Sequence, residues 1–158
     1  MRVGTGYDAH RLRPGRELII GGVHIEHPVG LDGHSDADVL THAVIDALLG
    51  AAGLGDIGRQ FPASDPRFKD VSSLDLLATA VRAVKEAGYR IINVDSTVIA
   101  EEPHLQPHLV AMRNQLAKGL DVDAGAVSVK ATSPEGLGAL GRKAGIAAQA
   151  VALIEATG

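Results

Sequence analysis

The chain has 158 residues and no cysteine, with 46% hydrophobic residues but only 3% aromatic ones. That length suits one domain, spanning 1–158, with a core of aliphatic side chains. The lack of thiols excludes disulfides and thiolate metal sites, so any ion must sit on His, Asp or Glu. A net charge of −4 lacks the basic footprint of a nucleic-acid binder, and no apolar run reaches membrane-spanning length. With no signal-like apolar segment at its start, the expectation is a cytoplasmic protein without nucleic-acid or membrane partners.

Arg2 to about Leu12 reads as a strand. Within it the stretch GYDAHRL sets Asp8 and His10 two residues apart, hence on one face, with Tyr7, Ala9 and Arg11 on the other. A second extended piece, ELIIGGVHI, is interrupted by a turn or bulge at Gly21-Gly22. GLDGHSDADV is loop, where Ser35 or Asp36 is a natural helix N-cap. From Ala37 to about Gly53 the apolar positions Val39, Leu40, Ala43, Val44, Ala47, Leu48 and Ala51 recur at helical spacing. Gly53 and Gly55 stop that helix, and DIGRQFPASDP reads as a surface lid. Ser73 to about Ala87 forms a second helix closed by Gly88, and YRIINVDSTVIAEE a strand rich in β-branched residues. A third helix spans about Leu105 to Gly119, and AVSVKATS is a short strand ending in a polar loop. GIAAQAVALIEA is the last strand, although its alanines also admit helix. Interleaved strands and helices predict an α+β fold, a mixed β-sheet with helices packed on one face.

Asp8 and His10 together are half of a zinc-type ligand set. His42, on the first helix, is the third candidate ligand, and two His plus one Asp would leave a position open, which is the catalytic pattern. Asp38 and Asp46 lie one turn to either side of His42, where either can orient the imidazole. The same spacing also fits a satisfied buried histidine beside a solvated carboxylate. His34 and Ser35 precede a helix N-terminus, which favours anions; a plain capping arrangement of Ser35 with Asp38 is the alternative.

KATSPEGLGALGRK gathers Lys130, Thr132, Ser133, Glu135, Arg142 and Lys143 around Gly136, Gly138 and Gly141. Glycines let a backbone approach a ligand, hydroxyls donate to phosphate oxygens, and Arg142 can grip a phosphate through two bonds. Glu135 suits a hard cation bridging protein and phosphates. The segment is not a P-loop, since the terminal GK[ST] is missing. In AEEPHLQPH two prolines fix a turn that can read the edge of a base, while His104 and His108 read as surface residues.

GYDAH, IIGGV, GHSDADVLTHAVIDALLGAAGLGDIG, FPASDP, NVD and KAT, followed by GLG and GR, together resemble the 2-C-methyl-D-erythritol 2,4-cyclodiphosphate synthase family across the whole chain. The resemblance implies a homotrimer around a central sheet-lined axis, with active sites between neighbouring subunits. It implies a lyase of the non-mevalonate isoprenoid route. In the implied reaction the 2-phosphate of 4-diphosphocytidyl-2-C-methyl-D-erythritol 2-phosphate would attack the β-phosphorus, giving the cyclic diphosphate and CMP. Asp8, His10 and His42 would hold zinc or another divalent cation, and Glu135 would hold Mg²⁺ or Mn²⁺. His34 and Ser133 would stabilise the transferring phosphoryl group, with Ser35 beside them. Asp56 and Gly58 would hold the erythritol, under a loop from Phe61 to Asp65. Ala100, Pro103, Gln106, Ala131 and Thr132 would cradle the cytidine, and Arg142 would contact a phosphate.

The chain departs from the family pattern at four places. Ser133-Pro134 stands in a frequent Thr-Thr-Thr-Glu run, His104 replaces a common lysine, and Ala63 replaces a frequent Asp. Ala139 stands where many relatives carry a Phe lining an axial cavity for isoprenoid diphosphates.

Two competing readings start from the same residues. One is a zinc phosphohydrolase acting on a nucleotide diphosphate, and the other a binding protein for isoprenoid diphosphates with a vestigial metal site.

Overall fold

The computed structural model describes residues 1–158. Strand β1 (Arg2–Pro14) runs slightly past its expected end. Strands β2 (Leu18–Ile20) and β3 (Val23–Ile25) form a separate antiparallel hairpin. Its turn is Gly21-Gly22, with φ of 59° and 72°, a left-handed conformation that glycine adopts without a Cβ penalty. Strand β4 (Val29–Leu31) returns along the end of β1.

Helix α1 (Val39–Ala52) follows, and every residue in it except Asp46 and Gly50 is buried. It starts two residues later than expected, because Ala37 has a φ of 57° and cannot open a helix. The cap is also neither Ser35 nor Asp36. Asp38 fills that role, accepting the Thr41 N–H at 3.0 Å, while the other two side chains are engaged elsewhere. Gly53, with φ 73°, closes the helix as expected.

The lid region contains a short helix α2 (Ile57–Gln60) and a single 3-10 turn at Pro66–Phe68. Helix α3 (Ser73–Glu86) buries Leu76, Leu77, Ala80, Val81 and Val84 along one stripe. Strand β5 (Tyr89–Ile99) precedes helix α4 (Leu109–Leu120). Leu105 does not begin α4. Pro107 brings no N–H, and residues Gln106–His108 form a 3-10 turn first. Strand β6 (Val127–Thr132), the short helix α5 (Gly138–Gly141) and strand β7 (Gly145–Ala156) complete the chain, so the alanine-rich end is strand.

The main sheet has the order β4-β1-β7-β5-β6. Only the β5–β6 pair is parallel, which makes the sheet mixed. Alternation divides its faces. Gly4 and Gly6 of β1, Ile146 to Ile154 at even positions of β7, and Val94, Ser96 and Val98 of β5 are buried, with α1 lying against β1 and β7. The opposite face, bearing Val3, Tyr7, Gln149 and Val151, is exposed. Helices therefore cover one face only.

Candidate active site

Period-two geometry brings Asp8 and His10 to the helical face of β1, and α1 presents His42 to them. Asp8 Oδ2 lies 2.8 Å from His10 Nε2 and 3.1 Å from His42 Nδ1, and the two nitrogens are 3.3 Å apart. A tetrahedral ion about 2.0–2.2 Å from each ligand sets the ligand atoms roughly 3.3–3.6 Å apart. The observed triangle is close to that size, and small adjustments admit the ion.

The outer nitrogens also have partners. His10 Nδ1 is 2.8 Å from the Asp32 carbonyl oxygen, which can only accept. Nδ1 therefore carries the proton when the ring is neutral, and the Nε2 lone pair faces Asp8. His42 Nε2 lies 2.7 Å from Ser73 Oγ and 3.2 Å from Ser35 Oγ. The Asp8 carboxylate and the His10 lone pair, so close to each other and to His42 Nδ1, repel unless a cation or a proton lies among them. The donor set thus fits a divalent cation; of the three only His42 is buried, at 8% exposure.

Charge in the cluster follows from this crowding. Burial works to raise the Asp8 carboxyl, but hydrogen bonds and charge from His10 and His42 outweigh it and hold Asp8 well below the usual carboxylate range. Burial works to lower His10, but the Asp8 hydrogen bond and charge, with the Asp32 carbonyl behind, raise it.

The trio opens into a pocket of about 270 Å³. His34 and Ser35 share its wall with the ligands, while Ile57, Gly58, Phe61, Ala63, Phe68 and Leu76 form the rest. Phe61 and Phe68 meet edge to face, with centroids 5.4 Å apart. Asp56 caps α2 through the Arg59 N–H at 2.8 Å. Asp65 points its carboxylate at Arg67 and offers its carbonyl to His34 Nε2 at 3.3 Å.

The remaining candidates form a second group. Ala100, Pro103, Gln106, Ala131, Thr132 and Ser133 line a separate hollow of about 350 Å³ with Glu101 and His104. Ser133 Oγ donates to Glu101 at 3.0 Å and accepts the Glu135 N–H at 3.0 Å. Glu135 and Arg142 are exposed beside it. The Asp8, Ala148, Val98 and Ala131 positions lie in one row across four strands, about 14 Å from end to end at 4.8 Å per strand. Within one chain, the second group is therefore not brought to the Asp8–His10–His42 cluster.

Two expectations about His42 fail. Asp38 turns away from it, accepting from Gly21 N at 2.8 Å, Gly22 N at 2.7 Å and Thr41 Oγ1 at 2.7 Å. Asp46 instead accepts the Ile57 N–H at 2.7 Å, with its carboxyl raised by burial. At the α1 N-terminus the Asp38 carboxylate accepts the Thr41 N–H, so one of the donors expected for an anion is already taken. Ser73 was missed because it reads as an ordinary helix-start residue, and Asp32 because its contribution is a main-chain carbonyl.

Comparison with known proteins matches residues 1–155 to the family described as YgbB. The protein named 2-C-methyl-D-erythritol 2,4-cyclodiphosphate synthase from Syntrophomonas wolfei is 59% identical, over 98% of this chain and 99% of its own. Its namesake from Synechococcus elongatus is 56% identical over 97% and 96%. Among solved structures, the bifunctional IspDF from Campylobacter jejuni superposes with a TM-score of 0.94 at 42% identity, covering 98% of this chain and 42% of that one. The present chain thus spans less than half of that bifunctional protein. The Plasmodium falciparum IspF–CDP complex gives 0.87 at 32% identity, covering 99% and 97%. Family match, near-complete coverage and the same fold agree: the chain belongs to the YgbB family.

Proposed function

We propose that this chain is a metal-dependent lyase. It converts 4-diphosphocytidyl-2-C-methyl-D-erythritol 2-phosphate to 2-C-methyl-D-erythritol 2,4-cyclodiphosphate and CMP, a step of non-mevalonate isoprenoid synthesis. The observation that carries this reading is the Asp8–His10–His42 triangle at the mouth of a pocket, in a chain 59% identical over nearly its full length to a protein named for that reaction.

The chemistry asks little of a general base, because the nucleophile is already a phosphate oxygen. An oxygen of the 2-phosphate forms a bond to the β-phosphorus, and the bond from that phosphorus to the bridging oxygen breaks, leaving CMP with the electron pair. The difficulty is holding two anions together in line, which is a task of positioning and charge neutralisation. A zinc or other divalent ion on Asp8, His10 and His42, when bound, supplies Lewis-acid polarisation and a template for phosphate oxygens.

His34 and Ser35 line the same pocket and donate to the phosphoryl group, joined by Ser133. Asp56 and Gly58 hold the erythritol hydroxyls. The Phe61–Asp65 segment with Phe68 keeps water from the phosphorus. Ala100, Pro103, Gln106, Ala131 and Thr132 hold the cytosine and ribose. Glu135 would hold Mg²⁺ or Mn²⁺, which when bound would neutralise diphosphate charge, and Arg142 would contact a phosphate.

These roles need both groups of residues around one substrate, although they lie apart in a single chain. A homotrimer, packed through the exposed sheet face with Val3, Tyr7 and Val151, brings one chain's cytidine hollow to its neighbour's metal ligands. Each subunit is a single domain over 1–158. In such an axial cavity Ala139, in place of a ring, leaves an isoprenoid diphosphate fewer apolar contacts. No helix is long and apolar enough to cross a membrane, in keeping with a cytoplasmic enzyme.

Phosphorus NMR of the purified protein with substrate, Mg²⁺ and zinc is the test. The expected result is stoichiometric CMP and a cyclic diphosphate, abolished by chelation and restored by metal. A linear product would mean hydrolysis, and bound zinc without turnover would mean a binding protein.

A further inference from the structure

We infer that Ser73 and Asp36 are positioning residues for His42, and that they act by fixing which imidazole nitrogen carries the proton. The inference rests on the reading that Asp8, His10 and His42 hold a divalent cation. A ligand nitrogen must offer a lone pair, so the ring's other nitrogen must hold the hydrogen. For His10 a carbonyl at Nδ1 enforces this. His42 meets hydroxyls instead, and a hydroxyl can donate or accept. Something behind the hydroxyl has to set its direction.

Asp36 does so. The fully buried Ser73 Oγ sits between His42 Nε2, at 2.7 Å, and a short contact to Asp36 Oδ1. An ionised carboxylate can only accept, so the single hydroxyl proton of Ser73 points at Asp36. The lone pairs of Ser73 then face His42 and require an N–H at Nε2. The Nδ1 lone pair is thereby turned toward Asp8 and His10.

Asp36 is itself held from several sides. Its carboxylate accepts the Ser73 N–H at 2.9 Å and the Asp38 N–H at 3.1 Å, and its own N–H donates to the Val71 carbonyl at 3.2 Å. Ser35 is the weaker partner, since it is 3.2 Å from Nε2 and its oxygen already accepts the Ala37 N–H. The relay opposes a real competitor. Asp8 Oδ2 is 3.1 Å from Nδ1 and would draw the proton to that side.

The test combines zinc affinity, by competition with a chromophoric chelator, with nitrogen NMR of the His42 ring in chelator-treated protein at alkaline pH. Wild type is expected to bind zinc and to show one tautomer, protonated at Nε2. Ser73→Ala, which retains the backbone N–H that Asp36 caps, is expected to weaken zinc about 10–100-fold, the usual cost of losing an outer-shell partner, and to show Nδ1–H form. Asp36→Asn, whose amide can either donate or accept, is expected to shift both readouts the same way.

Wild-type zinc affinity and an unchanged tautomer in Ser73→Ala would overturn the inference. So would loss of both in Ser35→Ala but not in Ser73→Ala. If Ser73→Ala does not fold, the wild-type spectrum decides, and protonation at Nδ1 there overturns it. Absence of zinc binding by wild type would instead sink the metal reading beneath it.

Discussion

A Cβ on Gly6 would lie 1.9 Å from the carbonyl oxygen of Ala43. Strand β1 and helix α1 therefore touch backbone to backbone, and the contact sits one position along the strand face from Asp8 and one residue along the helix from His42. The close approach sets the size of the ligand triangle. Gly6→Ala is expected to push α1 outward, costing about 1–3 kcal/mol as overpacking, and to reduce zinc affinity although Gly6 touches no ligand. Thermal unfolding together with zinc titration checks this. Full affinity in a destabilised variant would uncouple the contact from the site.

The sequence made Asp8 and His10 legible because a strand's period of two leaves no choice of face, and His42 because the apolar spacing of α1 is strong. What it could not convey was depth. Gly4 and Gly6 carry no side chain to mark a face, and only the packed helix reveals them as a seat for α1. The polar shell was the least legible part. Asp38 and Asp46 lie one turn from His42, yet each is drawn to free backbone N–H groups, at the glycine hairpin and at the start of α2 respectively. Hydrogen-bond demand elsewhere decided their direction. Ser73 reaches His42 across 31 positions, a separation that no local pattern encodes.

Asp38 is the fastener between the β2–β3 hairpin and α1. Its buried carboxylate takes four donors, from Gly21, Gly22 and twice from Thr41. Asp38→Ala orphans them at about 1–3 kcal/mol for each that stays dry. The expected outcome is a fall in urea midpoint with faster amide exchange at Gly21 and Gly22. Unchanged exchange there would mean that the hairpin is held by its apolar contacts alone.

His42→Ala removes the proposed ligand from a helix whose formation rests on its apolar packing. Helical content by circular dichroism is expected to stay near wild type, while zinc affinity falls by more than the roughly 10–100-fold typical of an outer partner. A fully metallated, fully active variant would remove His42 from the ligand set.

Glu135→Gln tests whether the second cation is separate. Glu135 is exposed, at the turn that Glu101 holds through Ser133 and Gly136, and it shares no pocket with Asp8. The variant is expected to need more Mg²⁺ for turnover while its zinc content is unchanged. Equal loss of both metals would argue for one shared site.

Proton competition governs zinc binding to chelator-treated protein. His10 is raised by its bond to Asp8 against the pull of burial. Its contribution to stability is thus complete below the unfolded value of about 6.5 and is lost as pH rises through the higher folded value. Asp8 is depressed, so its contribution is present above the unfolded value and is lost as pH falls through the lower folded one. Between those limits the pair stabilises the protein without metal and opposes zinc, because zinc needs the Nε2 lone pair of His10. Zinc binding should then release a proton at about pH 6, and affinity should rise by up to about tenfold per pH unit until His10 is neutral. Calorimetric titration in two buffers of different ionisation enthalpy reads the proton count. No release at the acidic pH would show that His10 is already neutral there, and that Asp8 does not hold its proton.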